Sequence, residues 1–290
     1  MKNIETVKTK ESGLSIYEKK SAIGYSTIGK QGTLKIVSIM NLLQDAASEH
    51  AHLMGISGFD LARQNLGWVI FRYHIEINNH PGWQDKITIR THRFPCKNLY
   101  EIRLLTINRE EEYQEDQIVN AKGCWVMVNK KNGRPVRLSR FMDRESGFIN
   151  KDSSCSQNSE TSNESEGLES HFPDVIGPET VHYQLPFKVR MHDLDLNGHV
   201  NNAIFVEWAV ETVPEHILSK FFPATIDVIF NKESLYGDII QSHTEIKEES
   251  GTPVTLHSIV RQQDQVELAI LNICWQTLPE KRWQPDHISL

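Results

Sequence analysis

Asp195, Asn197, Gly198 and His199 fall within five positions and set a carboxylate, a carboxamide and an imidazole around a glycine. A carboxylate and an imidazole can take up or hold a proton, and a carboxamide can orient both a water and a carbonyl. An apolar-periodic segment follows directly. Phe205, Trp208, Ala209 and Thr212 are spaced by three, four and seven, which predicts a helix over 201–213 with these residues on one face. Asn201 or Asn202 is its natural N-cap. The free N–H groups and dipole of a helix start can hold a carbonyl oxygen as it becomes an oxyanion. The same residue types also build turns and caps, so the cluster alone leaves a purely structural loop open.

The elements that must position this loop form a pattern that occurs twice. In the first half Ile36, Ile39, Met40, Leu43 and Ala47 make one stripe of a helix over about 35–50. Strand-like runs follow at 67–78, 85–93, 99–108 and 117–129. After the helix at 201–213 the second half has strand-like runs at 224–232, 238–247, 254–262 and 267–277. Each half sets a Gly-containing turn before an aspartate, Asp85 or Asp238, and ends on a strand with Cys-Trp, Cys124-Trp125 or Cys274-Trp275. One long helix followed by four strands, repeated, predicts two sheets that each wrap a central helix.

Between the halves, residues 151–170 are rich in Ser, Asn and Glu. Asp152, Glu160, Glu164, Glu166 and Glu169 stand against Lys151 alone, a net −4 out of −7 for the 290-residue chain. So few apolar groups cannot offset the entropy of ordering, and a flexible linker is expected, with a loop inside one domain as the alternative. The division is therefore 1–150, a linker over 151–180, and 181–290. Apolar content of 39% is enough for a packed core. No apolar run reaches the roughly 20 residues of a membrane span. Met1–Gly13 carries Glu5 and Glu11 and has no apolar core of a signal peptide, and the four cysteines lack a CxxC pair. A cytoplasmic protein without a zinc site or disulfide framework is the expectation. The negative charge argues against nucleic acid as the main partner. His50 and His52 have no third ligand at metal spacing. Lys130, Lys131, Arg134, Arg137 and Arg140 form a basic stretch, either a solvated turn or a docking surface for an acidic partner.

Three stretches together resemble the acyl-ACP thioesterases of plant plastids and bacteria. They are Asp195-Leu-Asn197-Gly-His199-Val-Asn201-Asn202, then Asn231-Lys-Glu233-Ser234 with Gly237-Asp238, and in the first half His80-Pro-Gly-Trp83-Gln-Asp85 with Trp125-Val-Met-Val-Asn-Lys and Arg134-Pro-Val-Arg137. The similarity covers about 15–142 and 180–280. It implies an α+β fold of two tandem hotdog domains, each an antiparallel sheet around one long helix. It also implies hydrolysis of fatty acyl-acyl carrier protein in fatty acid biosynthesis, with no cofactor and no metal. The acyl carrier protein and the fatty acyl chain would be the partners, and the chain would work as a monomer or homodimer.

The resemblance also assigns roles. Glu233 is the leading general base on water, and His199 and Asn197 hold that water and the thioester carbonyl. Asp195 orients the network or is the base in place of Glu233. Backbone N–H groups near Val200, Asn201 and Asn202 would polarise the carbonyl, and first-half core residues such as Met40 and Leu43 would line the acyl tunnel. Family members often carry a Cys after the catalytic Glu, where this chain has Ser234. Serine without a dedicated base is a poor nucleophile, so direct attack by water is favoured over an acyl-enzyme. The rival readings are an acyl-CoA thioesterase, a hotdog hydratase or dehydratase, and a non-catalytic acyl-binding module.

Overall fold

A computed structural model describes residues 10–11, 14–96, 98–110, 115–140, 172–249 and 251–278. In chain order the first half holds β1 (Lys10–Glu11), β2 (Leu14–Ala22), α1 (Ile36–Leu53), α2 (Gly58–Ala62), β3 (Leu66–Ile77), β4 (Lys86–Cys96), β5 (Tyr100–Glu110) and β6 (Glu115–Asn129). The second half holds β7 (Tyr183–Lys188), α3 (Asn202–Glu211), α4 (Glu215–Leu218), β8 (Phe221–Phe230), β9 (Ile239–Glu249), β10 (Thr252–Arg261) and β11 (Val266–Thr277). The eight expected strands are present. The strands ahead of each helix, β2 and β7, were not legible. β7 is largely exposed along its length and carries Pro186, so it has no buried alternation to betray it.

The eleven strands form one antiparallel sheet in the order β1-β2-β4-β5-β6-β3-β8-β11-β10-β9-β7. The halves therefore do not own separate sheets. β3 and β8 pair directly, from Arg72 opposite Ile229 to Glu76 opposite Thr225. Tyr73, Ile75 and Ile77 of β3 point into the core, as period-two alternation requires, and so do Ile226 and Val228 of β8. α1 packs on β4, α3 on β9 and β10, and the two helices touch each other. One hydrophobic core runs through both halves under the helices.

α1 buries Ile39, Met40, Leu43, Ala46, Ala47, His50 and Ala51 at helical spacing. It stops where the Gly55 N–H bonds His52 O and the Ile56 N–H bonds Ala51 O, the paired bonds of a Schellman end. The helix thus runs past His50 and His52, beyond the end near residue 50 expected from its apolar stripe. His50 is buried, and its Nδ1 lies 3.1 Å from Arg103 Nη1. An arginine can only donate, so that nitrogen accepts. Burial and the neighbouring Arg103 lower the His50 pKa to about 3. Arg103 and Arg93 both pair with Glu101, so this buried cluster is internally satisfied.

Most of the expected linker, 151–171, lies outside the described residues. Its last part, 172–180, is tied to the sheet. Phe172 is buried beneath the Arg72 guanidinium, Ile176 and Asn272 exchange two hydrogen bonds, and Glu245 Oε2 accepts from the Glu179 N–H at 2.7 Å. No disulfide framework was expected from the cysteine spacing; Cys96 is disulfide-bonded, while Cys124 and Cys274 are free. Cysteine spacing in sequence cannot reveal a pairing that the fold alone brings together.

On the outer face of the central strand pair, His74 Nδ1 sits 2.6 Å from Asp227 Oδ1 and His74 Nε2 sits 3.2 Å from Glu76 Oε1. The hydrogen bond to Asp227 outweighs burial and raises the His74 pKa. A raised folded-state value means that the pair stabilises fully below the unfolded-state value of about 6.5. The stabilisation is lost as pH climbs through the raised value. Asp227→Asn is expected to cost about 1 kcal/mol near pH 6, allowing for partial exposure. Urea denaturation should show the gap to the parent narrowing as pH rises into the alkaline range. A gap that stays flat means that His74 carries no charge in the pair.

Candidate active site

The 194–200 loop is a small closed unit. Leu194 and Val200 bridge its ends, the Asp195 N–H bonds His199 O at 2.7 Å, and the Gly198 N–H bonds Asp195 O at 3.0 Å. Gly198 has φ +77°, which a side-chain-bearing residue adopts only with strain. The Asp195 carboxylate is the internal brace. Its Oδ1 accepts the N–H of Asn197 (2.8 Å) and of His199 (3.2 Å), and its Oδ2 accepts Asn197 Nδ2 (3.1 Å). Arg190 pairs with the buried Asp193 at 2.7 Å and anchors the loop's entry.

α3 begins immediately afterwards. Asn201 is its N-cap, and its side chain accepts from the Ala203 N–H at 3.0 Å. Of the two expected cap residues, Asn201 takes the role and Asn202 is the first helical residue. The expectation that Val200 and Asn201 offer N–H groups to a carbonyl is corrected here. The Val200 N–H bonds Ser234 O (3.0 Å) and the Asn201 N–H bonds Asp193 O (2.8 Å). The bonds that close the loop consume both donors. The Asn202 N–H keeps no partner among the described residues and is the donor left at this helix start.

The Val200–Ser234 bond seats the loop on the turn that carries Glu233. That turn is braced by Asp238, whose Oδ2 accepts Ser234 Oγ (2.8 Å) and the Leu235 N–H (3.0 Å) and lies 3.5 Å from Arg261 Nη1. Ser234 is fully buried and its hydroxyl is committed to this brace. Glu233, one residue earlier, is exposed, and its carboxylate has no hydrogen-bond partner among the described residues. The half-buried His199 likewise keeps both ring nitrogens unengaged among them. The arrangement thus leaves one carboxylate and one imidazole free for chemistry and commits a second carboxylate to structure.

Sequence reasoning missed one member of the site. Lys130 Nζ, from the other half of the molecule, donates to Asn197 Oδ1 at 2.6 Å. With Oδ1 on Lys130 and Nδ2 on Asp195, the Asn197 carboxamide is held in a single orientation. The lysine stem lies over Gly67, where an added Cβ would come within 2.7 Å of Lys130 Cε. The basic stretch was visible in the sequence, but its contact with Asn197 spans 67 positions and had no local signal. Met40 and Leu43 are core residues of α1, with exposures of 5% and 0%. No cluster of three or more His, Cys, Asp or Glu side chains suited to a metal occurs among the described residues. The buried Cys124 thiol is pushed up to about 12 by burial and is far from ionising at neutral pH.

Asp238→Ala is expected to leave the buried Ser234 hydroxyl without its acceptor and to cost about 1–3 kcal/mol in chemical denaturation. Unchanged stability would mean that the turn does not depend on this brace.

Two family models match the chain, the acyl-ACP thioesterase N-terminal domain over residues 15–142 and the acyl-ACP thioesterase C-terminal domain over 177–277. A chloroplastic oleoyl-acyl carrier protein thioesterase from Coriandrum sativum is 30% identical over 253 residues, 84% of this chain and 66% of that protein. The chain therefore spans slightly under two-thirds of that relative's length. The 12:0-ACP thioesterase from Umbellularia californica has the same fold, with a TM-score of 0.73 at 20% identity over 91% of this chain and 94% of that one. So does an acyl-ACP thioesterase from Bacteroides thetaiotaomicron, with a TM-score of 0.72 at 17% identity over 90% and 98%. The doubled helix-wrapped sheet is accordingly a pair of tandem hotdog domains, and the chain belongs to the acyl-ACP thioesterase family.

Proposed function

We propose that the protein hydrolyses fatty acyl-acyl carrier protein to free fatty acid and holo-carrier, within fatty acid biosynthesis. The observation that carries this reading is the Val200 N–H to Ser234 O bond, which joins the Asp195–His199 loop to the Glu233 turn at the start of α3. Glu233 takes a proton from water as the oxygen attacks the thioester carbonyl carbon. His199 holds that water, and Asn197 with the Asn202 N–H steadies the carbonyl oxygen as charge develops on it. Collapse of the tetrahedral intermediate breaks the carbon–sulfur bond, and the proton passes to the departing thiolate. The three hydrogen bonds on Asp195 support Glu233, rather than Asp195, as the base. The buried, committed Ser234 hydroxyl supports water rather than an acyl-serine.

Thiol release from saturated acyl-ACPs of varied length, compared with matched acyl-CoAs, tests the activity and its carrier. Glu233→Gln is expected to lower kcat by about 100- to 10,000-fold with unchanged thermal stability. Near-normal turnover removes Glu233 from the mechanism.

Lys131, Arg134 and Arg137 are exposed on the turn after β6, beside the Lys130 that holds Asn197. A carrier protein bearing acidic residues, seated on this turn, delivers its thioester to the loop. Reversing all three charges should raise KM for acyl-ACP about tenfold or more, because each loses a complementary pair. KM for the uncharged acyl-N-acetylcysteamine thioester should not move. An equal rise for both substrates assigns the turn to the site itself and not to the carrier.

A further inference from the structure

The first half contains the same loop as the active site, built on different residues. The Gly29 N–H bonds Thr33 O at 2.8 Å, as Asp195 bonds His199; the Gly32 N–H bonds Gly29 O at 3.0 Å, as Gly198 bonds Asp195. The Leu34 N–H bonds Pro81 O at 3.1 Å, as Val200 bonds Ser234. Gly32 has φ +76° and Gly198 has φ +77°. The correspondence sets Gly29 at the place of Asp195, Gln31 at Asn197, Thr33 at His199 and His80 at Glu233. The carboxylates and the loop imidazole are gone, so the hydrolytic set is absent.

A hollow lies beside this loop. A cavity of about 250 Å³ opens there, walled by Ile36 and Ile39 of α1, Val210 of α3, Phe222 of β8 and Trp275 of β11. His80 lines it, is 6% exposed, packs edge-to-face on Phe222 with ring centroids 3.9 Å apart, and has neither ring nitrogen hydrogen-bonded among the described residues. Burial lowers its pKa to about 4, so the ring is neutral and can both donate and accept. A buried polar side chain without a partner is costly, and a native fold retains one where a ligand or water completes it. The helix start repeats the point. Lys35 makes no side-chain cap, whereas Asn201 caps α3. The Ile36, Val37 and Ser38 N–H groups have no partner among the described residues, and Ile36 and Val37 line the cavity. The charged lining groups are Lys35, Glu207 and Glu211. Two carboxylates against one ammonium disfavour an anionic head group.

We infer that this cavity is a second, non-hydrolytic binding site for an uncharged acyl carbonyl on an aliphatic chain, its oxygen on the α1 N-terminus and His80 and its chain along the apolar wall. The choice of an acyl carbonyl rests on the catalytic reading of the matching loop. The unpartnered His80 and the open cavity do not.

The test titrates the full-length protein with the amide analogue of dodecanoyl-pantetheine, in which NH replaces the thioester sulfur. Calorimetry is expected to give two sites per chain, and the His80 imidazole ¹⁵N resonances should shift with the probe. Val210→Trp, which fills the cavity away from the catalytic loop, should reduce the count to one and leave thiol release unchanged. Dodecanoate should move the His80 resonances at least tenfold more weakly than the amide. One site per chain with unmoved His80 resonances overturns the proposal, and the wild-type spectrum decides this even if the variant does not fold. Equal response to dodecanoate overturns the uncharged head group. Absent thiol release with His80 still shifting defeats the catalytic reading and leaves the second site standing.

Discussion

The antiparallel register between β3 and β8 decides which end of one half faces which end of the other. That pairing converts two sheets into one and lays the two helices side by side over a shared core. It also brings the end of β6, with Lys130, to the start of α3 in the opposite half. The 194–200 loop is therefore held from both halves. Neither half alone presents Asn197 with both its hydrogen-bonding edges fixed, because the acceptor edge is held by the first half and the donor edge by Asp195 in the second. Removing the Lys130 contact leaves the carboxamide held on its donor edge by Asp195.

Within the loop, the division of labour follows from which polar groups are already committed. Asp195 accepts two backbone N–H groups and the Asn197 side chain of its own loop, and Ser234 is buried beneath its own turn. Glu233 and His199 escape these duties. Bracing groups and unengaged polar groups are thus different residues in this loop and turn. The braces, Asp195 and Asp238, bond groups within their own turns.

The two halves show how the same backbone unit can be kept while its chemistry is changed. Matching hydrogen bonds at Gly29–Leu34 and Asp195–Val200 preserve the loop, because those bonds involve main-chain groups that are indifferent to side-chain identity. Side chains then decide what each loop does. In one half they supply a carboxylate, a carboxamide and an imidazole. In the other they supply Gly29, Gln31 and Thr33 beside a hollow lined by His80.

What the sequence determined by itself was local. The cluster at Asp195–His199, a helix start at Asn201 or Asn202, the apolar stripes of α1 and α3 and the eight strand-like runs are set by neighbours a few positions apart, which share one turn, one helix face or one strand. The resemblance added Glu233 by its place ahead of Gly237-Asp238, and the neighbouring Ser234 O accepts the Val200 N–H at the end of the loop. Only the tertiary structure decided that the sheet is continuous, that Lys130 belongs to the site, that the Val200 and Asn201 N–H groups are spent closing the loop, and that Ser234 is buried. Each of these rests on a contact between segments far apart in the chain, fixed by strand register and core packing, for which no short stretch of residues carries a signal.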